Sequence, residues 1–154
     1  MKPLNVYRIV IDEYAEDAFS GKGAEKFGGR WNSVGSRCVY TAGSESLSIL
    51  EILVQRKGVA VEGYTLFQLP LNETDIERFD TGRLPKNWRD YPGSEETKEI
   101  GDRWLAKSRK LALALPSAVV PRESIYLLNP AHKGFERAAG KAKPLKFEFD
   151  SRLV

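Results

Sequence analysis

Within the stretch Gly28 to Val54, GGRWNSVGSRCVYTAGSESLSILEILV, three side chains can do chemistry: Arg30, Tyr40 and Glu51. Arg30 carries a planar fork of donors that matches a phosphate or carboxylate, and Trp31 beside it offers a stacking face. The Gly28-Gly29 pair before them can adopt a positive φ and allows close approach to its backbone. We read Arg30, Tyr40 and Glu51 as members of one site, so the elements that carry them come first.

Arg37 to Thr41 (RCVYT) reads as a strand rich in β-branched and aromatic residues. Ala42-Gly43 ends it, and Ser44 is placed to cap a following helix. On a helical wheel Leu47, Ile49, Leu50, Ile52, Leu53 and Val54 cover most of the circumference, which predicts a buried helix. Ser48, Glu51 and Gln55 share the narrow sector left over. A carboxylate beside a core is costly unless bonded or paired. The helix alone therefore favours a Glu51 that is merely solvated or paired with a structural arginine over one that reacts.

Other candidates lie outside this stretch. Asn5 to Ile11 (NVYRIVI) alternates as a strand that puts Arg8 on one face with Val6 and Val10. That face borders a polar pocket, or else Arg8 reaches past an edge to water. Ser117 sits between apolar segments with no base adjacent, so it is no activated nucleophile. Its hydroxyl bonds a ligand or closes a turn. Cys38, in a strand, reads as a small core residue. GKGAEKFGG has the wrong spacing for a dinucleotide fingerprint, and no helix follows it directly.

The remaining elements follow in order. Gly63 to Leu71 is a strand after a helix stop at Lys57-Gly58, and Asn72 to Pro92 is loop with a turn around Thr74 to Phe79. Trp88 and Tyr91 in that loop are core anchors or pocket walls. Ser94 caps a helix running to about Arg109, with acidic residues in its first turn and basic ones in its last. Leu111 to Leu115, Ser124 to Leu128 and Leu145 to Phe149 are strands. Tyr14 to Phe27 is polar loop with at most a helical turn. Strands and helices without a βαβ rhythm, and with antiparallel hairpins, give an α+β fold with no repeat, linker or second domain.

At 154 residues, 42% hydrophobic and 29% charged, the chain can bury the core of one soluble domain. A single cysteine excludes an internal disulfide and points to a reducing cytosol. A single histidine, His132, disfavours a His-based metal site or a Ser-His-Asp triad, and no metal is expected. No leader or membrane-spanning run is evident, so the expected location is cytoplasmic. The charge of +3 suits an anionic ligand or an acidic partner without requiring nucleic acid.

Seven motifs in order then resemble the RES-domain toxins of bacterial toxin–antitoxin pairs: YRI at Tyr7, GGRWN at Gly28, VYTA at Val39, LEILV at Leu50, IGDRWL at Ile100, PSAVVP at Pro116 and LLNPAH at Leu127. The resemblance covers most of the chain, read as one RES domain over residues 1–154. It implies a mixed-sheet core related to ADP-ribosyltransferases, and NAD⁺ as the substrate, cut at the nicotinamide–ribose bond by phosphorolysis, hydrolysis or ADP-ribosyl transfer to a protein. The implied partner is an Xre-type helix-turn-helix antitoxin that occludes the site and binds DNA. The implied site positions are Arg30, Tyr40, Glu51 and Ser117, with Arg8 as a second pyrophosphate contact. In that scheme Glu51 stabilises an oxocarbenium-like ribose, Arg30 clamps the pyrophosphate or ribose, Tyr40 orients the nicotinamide end and Ser117 adds a positioning bond. Nicotinamide leaves neutral, so no general acid is needed. The competing reading is a non-enzymatic binding module with Trp31, Trp88 and Trp104 on a basic surface. It is weakened because two of those tryptophans fall in elements that need core.

Overall fold

The computed structural model describes residues 3–55 and 63–153. Seven strands form one mixed sheet in the order β4-β5-β6-β2-β1-β3-β7. They are β1 (Leu4–Ile11), β2 (Val39–Ala42), β3 (Tyr64–Leu71), β4 (Ile76–Arg78), β5 (Ala112–Pro116), β6 (Ser124–Leu128) and β7 (Lys143–Leu145). All neighbours run antiparallel except β4 and β5. The helices are α1 (Lys22–Phe27), α2 (Glu45–Gln55), α3 (Glu95–Lys107) and α4 (Phe135–Ala139). Among the described residues, no helix is long and apolar enough to cross a membrane.

Strand alternation builds two cores, one on each face of the sheet. Ala112, Ala114, Tyr126 and Leu128 turn to one face with Val6, Val39, Leu69 and Phe135 of α4. Leu113, Leu115, Ile125 and Leu127 turn to the other with Trp31, Cys38, Leu47 and Trp104 of α3. Every residue of β5 is therefore buried, as its unbroken Leu-Ala run predicts.

The two long helices start where their serines stand. Ser44 Oγ accepts from the amide of Leu47, and Ser94 Oγ accepts from that of Thr97, each holding a first-turn N–H that no helical carbonyl reaches.

Four expectations are corrected. Phe147 and Phe149 alternate like a strand, yet β7 stops at Leu145, and the two rings pack edge to face with each other and, through Phe149, with Tyr64. The stretch from Tyr14 to Phe27 is more ordered than loop, since a 3-10 segment over Asp12–Asp17 and α1 occupy it. Tyr91 is neither core nor pocket wall, being 87% exposed. Most consequential, α2 is not buried all round. It packs on β1 and β2, and only Leu47 and Ser48 are buried, while Val54 is 47% exposed. A single sheet covers one side of a helix, whatever the composition of the other side. The helix stop at Lys57-Gly58 lies outside the described residues.

The β1–β2 junction departs from the rest of the sheet. β1 pairs with β3 along eight residues, but with β2 only at Tyr7 opposite Ala42. Beyond that pair the two strands part.

Candidate active site

Arg30 and Trp31 form the tip of a tight turn closed by the Gly29–Asn32 bridge. The two glycines before them do different work. Gly28 has φ of 72°, which favours glycine, and a Cβ on Gly29 would lie 2.6 Å from the Tyr40 hydroxyl. That hydroxyl accepts from the amide of Trp31 at 3.0 Å and donates to Asn32 Oδ1 at 2.6 Å. Asn32 is fully buried, and its amide donates to the carbonyls of Ala24, Ser33 and Ser36.

α3 holds the turn from the other side. Lys98 Nζ donates to the Gly29 carbonyl at 2.7 Å, and the amide of Ser33 donates to Asp102 Oδ1 at 2.9 Å. Gly101 lets the helix in, because a Cβ there would run into the Trp31 carbonyl.

This frame aims the Arg30 guanidinium. Its Nη1 donates to the carbonyls of Trp88 and Asp90, at 2.8 and 2.6 Å, and Gly93 leaves room for the Arg30 backbone. Arg89, between those carbonyls in sequence, donates through Nε to the Ala118 carbonyl at 3.0 Å. Next to Ala118, Ser117 donates its hydroxyl to Glu51 Oε1 at 2.7 Å. Hydrogen bonds joined by short stretches of backbone thus connect Arg30, the Trp88–Asp90 turn, the Ser117 turn and Glu51. Residues distant in sequence come to one side of the sheet.

Ser117 is 1% exposed, and its oxygen also accepts from the amides of Val119 and Val120. One donated and two accepted bonds use the full capacity of a hydroxyl. Ser117 therefore has no free capacity for a ligand; it orients Glu51, which is only half-buried.

Three further candidates are placed as follows. Trp31 is 2% exposed inside the core with Trp104 and Leu47, so it presents no stacking face. The Tyr40 hydroxyl is occupied by the turn, and burial pushes it well above its ordinary value, with the nearby Cys38 adding to the shift. Tyr40 thus acts on Arg30 through the turn. Arg8 donates through Nε to the Ala18 carbonyl at 2.6 Å and through Nη1 to the Tyr40 carbonyl at 3.0 Å. It splints the gap where β1 and β2 part, in place of ladder bonds. Burial without a carboxylate pulls its guanidinium down to about 10, so it remains charged at neutral pH.

His132 is a turn residue. Nδ1 accepts from the amide of Gly134 at 2.9 Å, and Nε2 lies 2.9 Å from the Arg109 carbonyl, which suits the neutral Nε2–H tautomer. It borders a groove of about 590 Å³ with Pro70, Asp75, Arg137 and Lys141. The groove sits at the Leu111 end of β5, roughly 20 Å from the Ser117 end at ordinary strand rise. It is not part of the Arg30–Glu51 site.

Asn32, Lys98, Asp102 and Arg89 were not singled out from the sequence. Asn32 and Asp102 each left a signal, lying inside the GGRWN and IGDRWL motifs.

Comparison with known proteins follows this geometry. The RES domain family matches residues 5–150. Toxin Res of Yersinia enterocolitica is 40% identical over 149 residues, spanning 96% of this chain and 98% of the relative. Prs ADP-ribosylating toxin of Sphingobium sp. is 33% identical over 155 residues, spanning 96% of this chain and 95% of the relative. In structure, the chain superimposes on one chain of the M. tuberculosis MbcT–MbcA toxin–antitoxin complex with a TM-score of 0.68 at 17% identity, covering 98% of this chain and 86% of that one. The chain accordingly shares with that structure its α+β fold, a mixed sheet with flanking helices. With the family matched over nearly its whole length, the chain belongs to the RES-domain family.

Proposed function

We propose that this protein is the toxin of a bacterial toxin–antitoxin pair and acts by cleaving the nicotinamide–ribose bond of NAD⁺. The observation that carries the reading is the Ser117–Glu51 hydrogen bond at 2.7 Å, which fixes a half-buried carboxylate beside the turn that Arg89 ties to the carbonyl anchors of Arg30. A relative that is an ADP-ribosylating toxin supports the chemistry, and a fold shared with a toxin–antitoxin complex supports the setting.

The residues present suit the substrate. Arg30 Nη1 is tied to two neutral carbonyls, so the fork is oriented with its charge intact for a phosphate or ribose oxygen. As the C1′–N1 bond breaks, its electron pair leaves with neutral nicotinamide and positive charge develops on the ribose. Glu51 offsets that charge and takes a ribose hydroxyl on the oxygen that Ser117 leaves free, while Ser117 keeps it from rotating. The ADP-ribose passes to phosphate, water or a protein side chain, and the acceptor's proton goes to solvent. An antitoxin, of the Xre type by resemblance, restrains the activity by covering the cleft. The setting is the cytoplasm, and DNA enters only through that antitoxin.

The test is nicotinamide release from NAD⁺ by purified protein, with and without phosphate, beside Glu51→Gln. Electrostatic stabilisation predicts a loss on the order of 10² to 10³ in rate for the variant. Phosphate-dependent release identifies a phosphorylase; release without phosphate means hydrolysis or transfer to protein. A Glu51→Gln protein as fast as wild type rules the assignment out.

A further inference from the structure

Two arginines meet at the Trp88–Asp90 turn, Arg89 as its middle residue and Arg30 bonded to its carbonyls, and among the described residues neither has a carboxylate partner. Among the described residues the ion pairs engage Arg37, Arg78, Arg103 and Arg152. Arg30 and Arg89 are instead held by backbone carbonyls, those of Trp88 and Asp90 for the first and that of Ala118 for the second. A carbonyl fixes a guanidinium without cancelling its charge. Each is a cation left uncancelled at the same turn, and a ligand with two adjacent negative groups can pair with both. A diphosphate has one charge on each phosphate.

From this arrangement we infer that Arg89 is a second diphosphate-binding residue of the cleft, taking one phosphate of the ligand while Arg30 takes the other. Arg8, the residue the sequence puts forward for this contact, is engaged with Ala18 and Tyr40 across the split between β1 and β2. Arg89 is exposed, and its Nε bond to Ala118 leaves both terminal nitrogens without a partner among the described residues. The same bond ties it to the turn whose Ser117 holds the Glu51 carboxylate. The inference rests on the NAD⁺ reading for the identity of the ligand, but not for its diphosphate chemistry.

The test uses Arg89→Gln, with Arg137→Gln from the far groove as a control for surface charge. Inorganic pyrophosphate is titrated calorimetrically into the full-length protein, and nicotinamide release is measured against NAD⁺ concentration. Loss of a charge-assisted contact predicts about ten- to hundredfold weaker pyrophosphate binding and a matching rise in KM, with kcat within a few-fold. Arg89→Lys recovers part of the binding, since it keeps the charge without the fork. Arg137→Gln binds pyrophosphate as wild type does. Wild-type protein that binds no pyrophosphate, or Arg89→Gln that binds it equally well, overturns the inference and leaves the NAD⁺ reading standing. So does a variant with lowered kcat and unchanged KM, because Arg89 would then only brace the Ser117 turn. Pyrophosphate binding that depends on Arg89 in a protein releasing no nicotinamide supports this site and retires the NAD⁺ reading.

Discussion

Glu51 and Ser117 are 66 positions apart in the chain and share one hydrogen bond, so each is intelligible only through the other. Glu51 alone reads as a carboxylate on the rim of an apolar helix. Ser117 alone reads as a turn residue or a ligand contact. Together they are a carboxylate with its donor, and the two amides accepted by Ser117 make that donor immobile. Ser117→Ala removes one bond to a charged group and strands two buried N–H groups. We expect nicotinamide release to fall about ten- to hundredfold, and unfolding in urea to show a loss of about 1–3 kcal/mol. A variant that loses stability with full activity would separate Ser117 from the chemistry.

Among the elements, α3 is the one whose placement decides the site, although it contributes no residue that faces the ligand. It pins the arginine turn through Lys98 and Asp102, and Gly101 is the point of closest approach. Alanine is a better helix former than glycine by roughly 1 kcal/mol, so propensity alone says that Gly101→Ala stabilises. The geometry says the reverse, since the new methyl meets the Trp31 carbonyl, which is backbone and cannot rotate aside. Gly101→Ala should melt lower than wild type and lose nicotinamide release with it. Gly23→Ala in α1, where a Cβ meets open space, is the matched control and should gain up to about 1 kcal/mol. The caps of α2 and α3 were legible because a serine before an apolar or acidic turn acts locally. The burial of α2 was not, because coverage depends on what lies beside a helix.

For the molecule as a whole, the buried titratable groups behind the turn set the response to alkali. Burial, reinforced by Asp102, pushes the Cys38 thiol up to about 12 from 9.0, and burial likewise raises the Tyr40 hydroxyl. Both groups are raised on folding, so their contribution is whole below the ordinary values. It falls as pH climbs past 9, where the unfolded chain gives up its proton and the folded one does not. Arg8, lowered to about 10, acts in the opposite sense, but only from there upward. Between pH 9 and 10 the urea midpoint should therefore fall, and Cys38→Ala should flatten the fall. An unchanged slope in that variant would mean that the thiol ionises in the native protein.

What the sequence determined by itself is whatever depends on near neighbours or on the order of motifs. Strand alternation, the two serine caps, the unbroken apolar run of β5 and the seven spaced motifs are all of this kind. They were enough to identify the α+β class and the family. The tertiary structure alone decided the role of each side chain. Arg8 and Trp31 carry the chemistry of ligand contacts, yet one splints two parting strands and the other fills a core. Arg89 was not singled out in the sequence, yet Arg30 bonds the carbonyls on either side of it. Residue type limits which bonds a side chain can form, but the partner it meets is set by contacts between segments far apart in the chain, and those exist only once the sheet and α3 are assembled.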